Sequence, residues 1–232
     1  MFPCNCNISF VVCVLEDGPR ADIFEWLESV VIANLYNTEH YNEEAVSAND
    51  SRFLTDFYSF RLGPPRLRLL RVEEDPCYAS VHVRSKCIVD YTLKTEDKRN
   101  YIPGWVATDN HTVTPQSNYA HLDAFKYQSQ AELKGQPFWA ERTWFSGGGY
   151  VANLGENATF ATQLLHNLTR DDWLDQHARA LFVEFNILNV NTNLFNLVTI
   201  CFELPTEGAS LSYVSIQSVK LYRYNYFLFI LN

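Results

Sequence analysis

Residues 173–204 read WLDQHARALFVEFNILNVNTNLFNLVTICFEL. Phe182, Val183, Phe185 and Ile187 give the first part the β-branched and aromatic bias of a strand, Ala180 to Asn189. Leu194 to Leu204 is a second such run, and the Asn-rich stretch 186–193 between them suits a turn. Pro205 to Ala209 marks another turn, and Tyr213 to Tyr224 a third strand. The chain therefore closes on an antiparallel meander.

Upstream the period changes. Phe160, Leu164, Leu165, Leu168, Trp173 and Leu174 recur at helical spacing, which predicts a long helix over 159–181 with Thr169 as its weakest point. On that helix Trp173, Leu174 and Ala178 share one face, so Trp173 is expected in the core, with Phe185 facing it from the next strand. Arg179 is expected at the helix-to-strand junction, where the last helical carbonyls lack partners and favour a cation. Before the helix, the aromatic stretch Phe138 to Phe145 runs into Gly147-Gly148-Gly149, which reads as a turn or bulge. No Gly-Lys-Ser/Thr follows, so this is not a phosphate-binding loop.

Gly63-Pro64-Pro65 breaks the chain, and Arg66 to Val72 (RLRLLRV) then alternates. The alternation predicts a half-buried strand with Arg66, Arg68 and Arg71 on a solvated face. Another strand-like run surrounds Cys87 to Tyr91, and residues 92–135 read as long loops with short elements. Residues 22–36 (DIFEWLESVVIANLY) form an amphipathic helix, with Ile23, Trp26, Leu27, Val30, Val31 and Asn34 to Leu35 inward and Asp22 with Glu25 as a capping box. The polar stretch 37–52 is an exposed loop. Mixed helices and strands make the class α+β, an antiparallel sheet with packed helices and long loops.

Composition narrows function. A length of 232 residues fits one large domain, and 47% hydrophobic against 19% charged residues suits a folded core. The net charge of −9 argues against nucleic acid. N-x-S/T triplets begin at Asn7, Asn49, Asn110, Asn157 and Asn167. Cys77 and Cys87 flank a short loop that a disulfide closes in an oxidising compartment, while the other reading leaves free thiols in the cytosol. Tyr226 to Leu231 is a short apolar terminus, equally the start of a helix or an edge strand. Asp171, Asp172, Asp175, His166 and His177 fall on the predicted helix, but a solvated acidic helix explains them better than a metal site. Cys201 lies in an apolar strand and reads as a small hydrophobe. No nucleophile elbow or metal motif is present, so no enzyme and no cofactor is expected.

Several ordered motifs resemble the polycystin domain. Phe145-Ser-Gly-Gly-Gly-Tyr-Val-Ala-Asn-Leu-Gly155 resembles its GGGY segment. Trp173 to Phe185 resembles its WLD-x-x-(T/S)-RA-x-F-x-x-F signature, with Ala178 where Thr or Ser is usual. Asn189 to Phe195 is similar to its N-x-N-x-NLF loop with one Asn shifted, and Phe202 to Gly208 to its Pro-Gly turn. Leu62 to Arg71 resembles its PRxRQxR strand, and the doubled Pro after Leu-Gly looks like the polycystin-1 branch.

The resemblance covers about residues 22–224, leaving 1–21 unassigned and 225–232 as the expected start of a transmembrane helix. It implies an extracellular or luminal domain between the first two helices of a channel module, at the plasma or ciliary membrane. The implied work is assembly and gating control in a calcium-permeable cation channel, in a tetramer with polycystin-2-type subunits. It implies a Cys77–Cys87 disulfide. Tyr101, Trp105 and Tyr119 are the expected contact surface, since interfaces favour aromatic anchors. The competing reading is a cell-surface carbohydrate-binding or adhesion module.

Overall fold

The computed structural model describes residues 20–37, 50–54, 56, 58–80, 83–107, 120–207 and 209–220. An N-terminal helix runs as α1 (Ala21–Trp26), a π-helical segment (Leu27–Ile32) and α2 (Ala33–Leu35), followed by a 3₁₀ turn (Asp50–Arg52). The strands β1 (Ser59–Arg61), β2 (Arg66–Arg71), β3 (Glu74–Ser80), β4 (Val83–Ile88), β5 (Tyr101–Ile102) and β6 (Val106–Ala107) come next. Then come α3 (Ala120–Asp123), β7 (Tyr127–Gln128), α4 (Gln130–Leu133), β8 (Phe138–Trp139), β9 (Trp144–Phe145) and β10 (Gly149–Asn153). The chain continues through α5 (Ala158–Arg170), β11 (Ala178–Asn189), β12 (Leu194–Glu203) and β13 (Leu211–Lys220).

Seven strands form one antiparallel sheet in the order β13-β12-β11-β2-β10-β7, with β1 also paired to β11 beyond the end of β2. The meander β11-β12-β13 is in continuous register, Phe182 opposite Cys201 and Cys201 opposite Tyr213. Leu67, Leu69, Leu181, Val183, Phe185 and Val198 lie in the larger core with the N-terminal helix and α5. Trp26 meets Phe202 edge-on, ring centroids 5.2 Å apart. The opposite face of the sheet carries a smaller core of Leu70, Ala180, Phe182 and Cys201 beneath Phe145 and Tyr91. Gly149 fits between these strands because a Cβ there would lie 2.7 Å from the Leu69 carbonyl oxygen, and its φ is +139°.

The N-terminal helix departs from a plain α-helix. Its buried residues are Ile23, Trp26 and Leu27, then Val31, Ile32, Leu35 and Tyr36, while Val30 and Asn34 are only half-buried. The wider π turn takes one more residue per turn, so the inward stripe advances by one position. Arg20, not Asp22, is the N-cap, with no side-chain capping bond because a guanidinium has no acceptor for the first-turn N–H groups; it donates instead to the carbonyls of Asp175 and Pro205 at 3.1 Å each.

The helix predicted over 159–181 ends at Arg170. Asp172 takes a left-handed conformation with φ +50°. The Asp172 N–H then donates to Thr169 O at 3.2 Å and the Trp173 N–H to Leu168 O at 2.9 Å. This is a Schellman stop, with Leu168 and Trp173 supplying its hydrophobic contact. Glycine usually marks such a stop, and an Asp in its place left no signal in the sequence.

Candidate functional site

The three arginines of β2 are not on a solvated face. β2 is central, so both of its faces are covered, and Arg68 and Arg71 are buried with Arg66 half-buried. Side chains two apart share a face, which sends Arg66 and Arg68 to one side of the sheet and Arg71 to the other. Glu184 on the neighbouring β11 receives Arg66 Nε at 2.6 Å and Arg68 Nε at 2.9 Å. Arg68 also donates to the carbonyls of Ser146 and Gly148 and lies over the Phe182 ring at 3.9 Å. A buried guanidinium thus has a carboxylate, two carbonyls and an aromatic face, the company that a desolvated charge requires.

On the opposite face Arg71 lines an open cleft with Glu73, Asp97, Arg99, Tyr101, Trp105 and His177. Its NH2 donates to Asp175 at 2.6 Å, and its guanidinium carbon stands 3.4 Å from the Trp105 ring centre. His177 Nδ1 lies 3.0 Å from the same Asp175 carboxylate. The Tyr101 hydroxyl donates to Asp97 at 2.5 Å, and burial, then this carboxylate, push its phenol pKa well up. Trp105 donates its indole N–H to Asp172 O at 2.9 Å.

These contacts change the expected contact loop. Tyr101 is buried, and Trp105 packs on Arg71, Phe125 and Tyr150, so both rings serve the domain interior. Tyr119 lies outside the described residues. Two exposed rings stand together on the hairpin β8–β9, where Trp139 is 77% and Trp144 51% exposed with centroids 6.3 Å apart. The outer strand β13 adds exposed Val214, Ile216 and Val219. Alternation alone does not show which strand is outermost, so the sequence did not point to them.

Trp173 is fully buried, and its indole N–H donates to Ala124 O at 2.9 Å. Phe185 is buried on β11. Arg179 does hold carbonyls, but they belong to Val89, Gln176 and Ala178 rather than to the last turn of α5. The helix has already ended, and Arg179 sits in β11. Burial pushes its pKa down to about 10.

Hairpin β3–β4 sets Cys77 opposite Ser85 and Asp75 opposite Cys87. Cys87 is disulfide-bonded, and the side chain of Cys77 lies outside the described residues. Asn157 is the exposed N-cap of α5, and Asn167 is half-buried on that helix. Asn7, Asn49 and Asn110 lie outside the described residues, as do residues 225–232. Cys201 is buried, and burial raises its thiol pKa, so it is a poor nucleophile. Among the described residues no group of three His, Cys, Asp or Glu is placed to hold a metal, and no helix is long and apolar enough to cross a membrane.

The central arginine strand pairs with the GGGY strand on one side and, on the other, with the strand that follows the WLD turn, and a family model for the polycystin domain matches residues 19–222. The chain belongs to the polycystin domain family. This polycystin domain is 34% identical over 201 residues to mouse polycystin-1-like protein 3, covering 85% of this chain and 8% of that relative. It is 30% identical over 222 residues to human polycystin-2-like protein 1, covering 96% of this chain and 25% of the relative. Zebrafish polycystin-2 is 29% identical over 206 residues, 88% of this chain and 21% of its own length. The polycystin domain described here therefore spans a quarter or less of each of these relatives.

Proposed function

We propose that this chain is the extracellular or luminal domain of a polycystin-1-like subunit, working in assembly and gating control of a calcium-permeable cation channel. The observation that carries the proposal is the match over nearly the whole chain to relatives named for both polycystin-1-like and polycystin-2-like proteins. Partners are then polycystin-2-type subunits in a tetramer, with membrane helices flanking residues 22–224 and residues 225–232 opening one of them. The domain is not an enzyme and needs no cofactor. Its ionic centre is buried, and its exposed Trp139 and Trp144 and the β13 edge are surfaces that a neighbour can use.

The same reading places Asn7, Asn49, Asn110, Asn157 and Asn167 in a glycosylating compartment and pairs Cys77 with Cys87. The test uses the full-length subunit expressed with a polycystin-2-type partner. Co-purification is expected, and it is expected to weaken when Trp139→Ala and Trp144→Ala are combined. Glycosidase treatment is expected to lower the mass in steps, and unreduced peptide maps to link Cys77 with Cys87. Failure of the intact subunit to join any partner defeats the channel reading; an unchanged mass after glycosidase defeats the compartment.

A further inference from the structure

The outer strand β13 carries none of the devices that keep a sheet edge from pairing. Natural edges are shortened, bulged, broken by proline or studded with charge. β13 runs ten residues from Leu211 to Lys220, in unbroken register with β12. It has no proline, no residue with positive φ and no charge before Lys220. Among the described residues no strand pairs with its outer side. On the helix side of the sheet, Val214 and Ile216 stand beside the buried Ile200 and Val198, yet both are exposed. Val219, on the other side, is exposed as well.

The sequence of the strand says what fits it. An antiparallel second copy, related by a two-fold axis through Ser215, sets Ser215 opposite Ser215. Val214 then faces the second copy's Ile216, and Ile216 faces its Val214, so four apolar side chains meet on one face. Tyr213 meets Gln217 and Leu211 meets Val219, each twice, and no charge faces a like charge. Moving the axis to Val214 sets Ile216 against Ser212, and moving it to Ile216 sets Val214 against Ser218, so Ser215 is the centre that keeps both apolar pairs. Such cross-strand pairs are what stabilise one strand against another. We infer that β13 is a homotypic docking edge, on which two copies of this chain join antiparallel about Ser215 and continue the seven-stranded sheet from one copy into the other. The pairing rests on the strand alone and does not depend on the channel reading. An interface of one strand from each side is small, so single chains and pairs exchange with concentration.

Sedimentation equilibrium of the 232-residue chain is expected to show a mass that rises with concentration from that of one chain toward that of two. Ile216→Lys sets an ammonium against Val214 at both ends of the pair. It is expected to raise the dissociation constant about tenfold and to leave the melting temperature of the single chain unchanged. Ser215→Cys is expected to give, on mild oxidation, a disulfide between the substituted positions of two chains, identified by peptide mapping. In Gln217→Cys the two positions stand four residues apart along the pair, roughly 13 Å, and no such link is expected. A chain that stays single at every concentration overturns the inference, as does one that pairs only with a polycystin-2-type domain. A pair that Ile216→Lys leaves intact uses another surface, and a link at position 217 in place of 215 refutes the register; either result overturns the inference. Co-purification of the full-length subunit remains the separate measure of the channel reading.

Discussion

Strands β2 and β13 belong to one sheet, and both alternate in sequence. β2 reads RLRLLR and β13 reads LSYVSIQSVK. The strand with three arginines is the buried one, and the strand with one lysine at its end lies exposed at the edge. Position in the sheet, not hydropathy, decides the burial of each. β2 has a neighbour on either side and a layer over each face, so its charges had to be neutralised from within. β13 has one neighbour, and Val214 and Ile216 extend past the helices that cover Val198 and Ile200. The centre is buried and paired within itself, and the edge is exposed.

The comparison is tested most severely beside the centre. Trp173→Ala removes a filled core position and one indole bond, and is expected to cost about 3–5 kcal/mol in urea denaturation. Destabilisation under 1 kcal/mol would show that the turn repacks easily. Glu184→Ala leaves Arg68 buried without its carboxylate and is expected to cost about 3 kcal/mol. Combining Arg68→Met with Glu184→Leu is expected to recover most of that loss, because the charge and its partner leave together. If the double variant is as unstable as the single one, packing and not charge sets the cost.

At the edge the expectation reverses. Ile216→Thr is expected to change stability by less than about 0.5 kcal/mol, as most exposed substitutions do. Its effect should appear instead in partner co-purification from cells making the full-length subunit. A large fall in melting temperature would mean that β13 belongs to the core after all.

The smallest effect concerns Asp90, an exposed carboxylate held by the Thr206 hydroxyl and backbone N–H, which lower its pKa. A lowered folded pKa gives stability that is present above the unfolded carboxylate value, about 3.9, and is lost as pH falls through the folded value. Thr206→Val is expected to move the Asp90 midpoint upward in a carboxyl-carbon NMR titration. An unmoved midpoint would assign the shift to Arg179 and Arg142 instead.

Local pattern made the meander, the α+β class and the N-terminal helix legible, because each repeats a period over many residues. The family motifs were legible for the same local reason. What stayed hidden depended on long-range pairing. Nothing in RLRLLRV tells a central strand from an outer one, so its arginines read as solvated. Asp172 ends α5 in a conformation that glycine usually supplies, so the helix read eleven residues too long at its C-terminal end. Tyr101 and Trp105 read as surface rings because their partners Arg71, Asp97 and Asp172 are remote or, for Asp97, bound through a turn that has no simple period.

The π turn at Leu27–Ile32 has a consequence for insertions and deletions. The helix accommodates one residue more than a regular path between Trp26 and Leu35 needs. Removing the exposed Glu28 or Ser29 should let that turn tighten to an ordinary one, with Ile23, Trp26 and Leu27 before it and Leu35 and Tyr36 after it still facing the sheet. Removing one residue from α5, which is regular throughout, would rotate Leu164, Leu165 or Leu168 out of the core instead. Length can therefore change by one at the first helix without a change of fold, and cannot at the second.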